Sequence, residues 1–120
     1  MEIVEILDND YLIRRIPLNN PDYLKPDGTI CSYAFKPKKK SLNEISVNIK
    51  KLTTYIESVI DSESFGLLQL TAKVIRENSL DCIHSPESTN YSHASVKGQF
   101  TNSVCKNLAK SSNLINESDF

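Results

Sequence analysis

The sequence predicts an α+β domain: a mostly antiparallel sheet of about five to six strands with two to three helices packed on one side. Three observations carry this. Strand-like and helix-like runs mix along the chain without the regular strand–helix–strand alternation of a parallel sheet. No Gly-rich phosphate loop follows any strand, so the doubly wound nucleotide folds do not fit. At 120 residues the chain can bury one core and not two, so residues 1–120 form a single domain.

Residues 1–8 alternate weakly, as an edge strand or an arm would. The run 11–16, YLIRRI, is dense in strand formers and stops at Pro17. Residues 17–28 carry Pro17, Asn19, Asn20, Pro21, Pro26, Asp27 and Gly28 and read as an extended loop closing in a turn, either a lid or a plain connection. The run 29–35, TICSYAF, reads as a second strand. Ile45, Val47 and Ile49 alternate with Ser46 and Asn48, which predicts a half-buried strand over 45–49. Leu52, Ile56, Val59 and Ile60 then change the period, predicting an amphipathic helix over about 51–61. The apolar run 65–71 fits strand or helix. Thr71 caps a short helix at 72–78 that buries Val74 and Ile75. Strands follow at 80–84, with Leu80, Cys82 and His84 on one face, and at 91–96, ended by Gly98. Val104, Cys105, Leu108 and Ala109 predict a helix within 101–114 capped by Thr101, and 115–120 reads as a frayed tail.

Net charge is −1, so the overall field argues neither for nor against nucleic acid. The positive charge is local: Lys36, Lys38, Lys39 and Lys40 lead into Lys50 and Lys51 with only Glu44 between them. Lys38, Lys39 and Lys40 are the nucleic-acid candidates, but no aromatic lies among them to stack a base, which disfavours nucleic acid as partner. Cys31, Cys82 and Cys105 are odd in number and widely spaced. They predict reduced, largely buried thiols of a cytoplasmic protein rather than a disulfide framework or a zinc site. The acidic start, MEIVEILDND, is not a signal peptide, and no apolar run is long enough to span a membrane. No spacing of His, Cys, Asp and Glu matches a metal site, and no cofactor motif is present.

Arg14-Arg15-Ile16-Pro17, Asp27-Gly28, Ser32-Tyr33-Ala34-Phe35, Ile45-Ser46-Val47 and His93-Ala94-Ser95-Val96-Lys97-Gly98 together resemble a family of small bacterial proteins. Those proteins share an RR…P…DG…SxAF…LSV…HAxVxG pattern. The resemblance brings no settled activity. It implies that the two arginines, the Ser-Phe segment and the His segment belong to one constellation.

His93 is the candidate catalytic residue. His-Ala-Ser-Val on a strand is similar to one half of the two-histidine phosphoesterase motif, in which histidines act as acid and base and hydroxyls hold a phosphate. The second half is missing, since His84 is followed by Ser85-Pro86. Arg14 and Arg15 point to opposite faces of a strand, so one of them can clamp a phosphate or carboxylate. With Ser32 and Ser95 they form the candidate ligand-binding set. An arginine on a first strand followed by Ser32 also resembles the NAD-holding half of ADP-ribosyltransferase-like folds, without their later glutamate strand. No GxSxG turn is present for Ser-His-Asp catalysis. The first expectation is therefore a module that binds a protein partner, for instance by strand addition to an edge at 1–7 or 11–16. The alternative is a protein that binds a nucleotide or other phosphorylated small molecule, or a small phosphotransfer or hydrolytic enzyme, through Arg14, Arg15 and His93.

Overall fold

The computed structural model describes residues 2–39 and 43–120. It is an antiparallel six-stranded sheet with three helices, the α+β architecture expected. The strands are β1 (Tyr11–Pro17), β2 (Glu44–Ile49), β3 (Phe65–Thr71), β4 (Asp81–His84), β5 (His93–Lys97) and β6 (Asn113–Ile115), and their order across the sheet is β4-β5-β2-β1-β3-β6. The helices are α1 (Tyr55–Val59), α2 (Ala72–Glu77) and α3 (Asn102–Ser111).

Alternation sorts the strands into two faces. Leu12, Ile16, Leu68, Leu70, Ile45, Val47, Ile49, Ala94 and Val96 face one way and build the main core with Ile75 of α2, and Leu108 and Ala109 of α3. The opposite face carries Ile13, Leu67 and Ile115, covered by Val59 of α1 in a smaller cluster. The β2–β5 part of that second face bears Ser46, Asn48, His93 and Ser95, and α1 reaches it at Asn48, whose amide donates to the Ser58 hydroxyl (2.9 Å).

Local chemistry explains the helix ends. Thr71 and Thr101 each accept a hydrogen bond from the backbone three residues on, Val74 and Val104, as expected of caps. Ile75 is fully buried and Val74 half-buried. At the far end of α2, Ser79 takes a left-handed conformation (φ 62°), while the N–H groups of Ser79 and Leu80 return to Arg76 and Ile75. That closes the helix in a Schellman turn with Leu80 in the core.

Several expectations are corrected. Residues 29–35 are not a strand: Ser32–Phe35 form one 3₁₀ turn. The turn buries Ala34 and Phe35, and the Ala34 carbonyl accepts from the Arg14 side chain rather than from a strand. The helix over 51–61 shrinks to Tyr55–Val59, because Thr54 caps it and Ile60 ends it. Its apolar stripe splits: Val59 is buried, whereas Ile56 and Ile60 are exposed. The ambiguous run 65–71 is a strand, paired along its whole length to β1. The helix within 101–114 stops at Ser111, and the residues after it add β6 to the sheet. Residues 117–119 make a further helical turn with a reciprocal Asn116–Asp119 capping box. Strand addition at 11–16 is ruled out, since β1 is an interior strand, and 2–7 is irregular chain with Ile6 in the core.

Candidate functional site

β1 and β2 pair only at Leu12↔Ile49 and Ile13↔Asn48 and then diverge. β1 stays on β3 for seven pairs, and β2 stays on β5 for five. Where they part lies a polar cleft of about 470 Å³, lined from both strands and, at Ser58, from α1. Arg14, Arg15, Lys38, Ser46, Asn48 and His93 line it, with Tyr23 of the 17–28 loop forming part of the wall.

Arg14 belongs by register to the core face, but the gap lets its side chain run between the strands. Its Nε–H donates to the Ala34 carbonyl (3.0 Å) and Nη1 to the Ser46 carbonyl (2.8 Å). The arginine thus satisfies the Ser46 carbonyl, which the missing ladder leaves open, and a carbonyl of the 3₁₀ turn. Among the described residues no carboxylate pairs with it. Burial pushes its pKa down, the neighbouring Tyr23 hydroxyl opposes this, and Arg15 adds to the lowering. The group remains a cation, held where a cation is costly. Arg15, on the opposite face, donates to the Ser58 carbonyl (3.3 Å) and lies over the Phe65 ring (5.4 Å).

His93 is held on both sides. Its Nδ1 lies 2.8 Å from the Ser85 carbonyl and 3.0 Å from the Ser85 hydroxyl. A carbonyl only accepts, so Nδ1 carries the proton. Nε2 then faces the Ser46 hydroxyl at 3.0 Å, with Glu87 at 3.9 Å. Ser95 is buried and does not line the cleft; its hydroxyl bonds to that of Ser85 (2.9 Å) and so supports the histidine from behind.

Arg14, Arg15, Lys38 and His93 therefore meet in one cleft, whereas Ser32 sits on the 3₁₀ turn away from its lining. Lys39 is exposed and outside the lining, and Lys40 falls outside the described residues. Sequence alone missed Ser46 and Asn48 as site residues, although the alternation of 45–49 did place both outward. The signal that would have found Ser46 is the register Ser46↔Ser95, which sets His93 diagonally across from it on the same face.

The other histidine is structural. His84 is buried; its Nδ1 accepts from the Val4 N–H (2.9 Å) and its Nε2–H donates to the Tyr91 carbonyl (2.7 Å). Tyr91 in turn donates to the Glu2 carbonyl, so the pair fastens the N-terminal arm. Cys82 and Cys105 are buried, which raises both thiols, and Cys31 is partly exposed. Among the described residues no cluster of His, Cys, Asp and Glu gathers to hold a metal ion, and no helix is long and apolar enough to cross a membrane. No protein-family model, curated protein or solved structure matches this chain.

Proposed function

We propose that the cleft binds a small anionic molecule, with a phosphate ester such as a nucleotide as the class that fits best. The observation that carries this is Arg14: a guanidinium fixed by two backbone carbonyls, without a carboxylate partner among the described residues, at the wall of an open cavity. Arg15 and Lys38 add charge to the same lining. Glu44 and Glu87 oppose them, but Glu44 already faces Lys97 (3.5 Å), so the cleft keeps a positive surplus. Arginine's fixed fork suits phosphate and carboxylate oxygens.

The test is thermal stability of wild type, Arg14→Met and Lys38→Met against inorganic phosphate, nucleoside mono- and diphosphates, NAD and cyclic phosphates. A ligand at about 100 times its Kd stabilises by about 2.7 kcal/mol. For 120 residues that is a rise of roughly 10 °C. Wild type should rise with at least one of these, and both variants should rise less. A wild type indifferent to the whole panel, by melting and by calorimetry, removes the proposal.

A second reading, a protein partner, is favoured by a separate surface. Ile56 of α1 and Ile60 just beyond it are about two-thirds exposed, and Ile56 adjoins an apolar cavity of about 570 Å³ lined by Tyr11, Tyr55 and Phe120. The occupant would be an aliphatic or aromatic side chain of a partner segment. Paired capture from native lysate with wild type and Ile56→Lys tests it. A protein held by wild type, lost by the variant and bound again after purification supports the reading; identical capture by both ends it.

A further inference from the structure

We infer that Ser46 is a nucleophile and His93 its general base, so that the cleft hydrolyses carboxylic esters whose acid or alcohol part carries an anionic group. The substrate's anionic group rests on the proposed binding role of Arg14; the nucleophile does not. An activated serine needs a base within hydrogen-bond reach and a third group that orients the base. All three are present on one patch of sheet. Ser46 and His93 share a face of adjacent strands, and their Oγ–Nε2 distance is 3.0 Å. The Ser85 carbonyl accepts from Nδ1–H at 2.8 Å, which leaves the Nε2 lone pair pointing at the serine. Here a backbone carbonyl fixes the tautomer, the task a carboxylate performs in the familiar triad. The Ser85 and Ser95 hydroxyls brace the same side of the ring. Glu87, 3.9 Å from Nε2, offers negative charge to the imidazolium once it forms. Ser46 is exposed to the cleft, and Arg14 Nη1 sits 2.8 Å from Ser46's own carbonyl, so a cation stands beside the reacting residue.

The reaction balances with water as the only co-reactant. Ser46 Oγ attacks the ester carbonyl carbon as its proton passes to His93 Nε2. The bond from that carbon to the leaving alcohol oxygen breaks, and the oxygen takes the proton from Nε2. Water then gives a proton to Nε2 and attacks the acyl-Ser46. The bond from the acyl carbon to Oγ breaks, the acid departs, and Oγ recovers its proton.

The experiment uses the full chain and a fluorophosphonate probe, which forms a P–O bond to an activated serine as its P–F bond breaks. Intact mass and peptide mapping read the adduct. We expect one adduct on wild type, mapped to Ser46, none at that site in Ser46→Ala, and labelling at least 100-fold slower in His93→Gln. Circular dichroism checks that the variants fold; Ser46→Ala, at an exposed strand position, keeps the comparison intact if His93→Gln does not fold. An unlabelled Ser46 under conditions that label an ordinary serine hydrolase overturns the proposal, as does equal labelling of a folded His93→Gln. Phosphate and nucleotide binding by the wild type is measured in parallel with its labelling. Binding without labelling removes the nucleophile and keeps the anion site; labelling without binding keeps the nucleophile.

Discussion

Ile60 gives the sharpest test of the backbone. It sits at the end of α1 with φ 66° and ψ −56°, and the Asp61 N–H reaches back to the Val59 carbonyl at 2.7 Å. That is a γ-turn of the positive-φ kind, which is rare and strained, centred on a β-branched residue that adopts such angles poorly. The strain is on the order of 2 kcal/mol. Ile60→Gly releases most of it. Against this stand about 1 kcal/mol of extra freedom in the unfolded chain and under about 1 kcal/mol of lost burial, since the side chain is 66% exposed. The net gain is about 0.5 kcal/mol, or roughly 2 °C by differential scanning calorimetry. Ile60→Ala separates the contributions, because it loses the same burial but keeps a Cβ. At an ordinary position glycine is less stable than alanine by about 0.5–1 kcal/mol. Here the order should invert, with the glycine variant melting above the alanine one. A glycine variant that melts below alanine refutes the strain and the turn with it.

Gly98→Ala should destabilise by about 1–3 kcal/mol in urea unfolding, because φ is 148° and the new Cβ would lie 2.6 Å from Leu80 Cδ2 and 3.3 Å from the Ser79 carbonyl. His84→Phe leaves the Val4 N–H and the Tyr91 carbonyl unpartnered. Hydrogen exchange should then accelerate in residues 2–7 well before the sheet is affected. Alkylation by iodoacetamide at neutral pH should modify Cys31 first, since burial pushes the Cys82 and Cys105 thiols up and holds them as unreactive thiol; mass spectrometry of the tryptic peptides reads the order.

Features set by neighbours in the chain were legible in the sequence. Thr71 and Thr101 announce their helices because a cap needs only the backbone three residues on. Ile45, Val47 and Ile49 announce β2 because a half-buried strand must alternate. Features set by distant neighbours were not. TICSYAF has the composition of a strand, but Ala34 and Phe35 are buried on a turn that meets Cys105 of α3, 70 residues on, and nothing within those seven residues records that. The α1 stripe misled for a related reason: Ile56 and Ile60 are apolar at helical spacing, yet the face they mark looks away from the sheet. The candidate site divides the same way. Arg14, Arg15 and His93 could be named by type, while Ser46 became visible only once β2 and β5 were in register across 47 residues of chain.

The divergence of β1 from β2 joins the fold to the cleft. A ladder that stops after two pairs leaves the Ser46 carbonyl without a strand partner, and the same opening creates the cavity. Arg14 answers the first problem by reaching through, and in doing so places its charge at the second. Structure and binding should then separate on Arg14→Lys. Lysine keeps the cation but lacks the planar fork, so it can hold one of the two carbonyls and not both. The lysine variant should melt earlier than wild type, because the Ala34 or Ser46 carbonyl loses its donor, and still gain stability from phosphate ligands through the retained charge. If instead Arg14→Lys folds as well as wild type and loses all response to anions, the fork serves the ligand and the carbonyl bonds to Ala34 and Ser46 contribute nothing that the sheet needs.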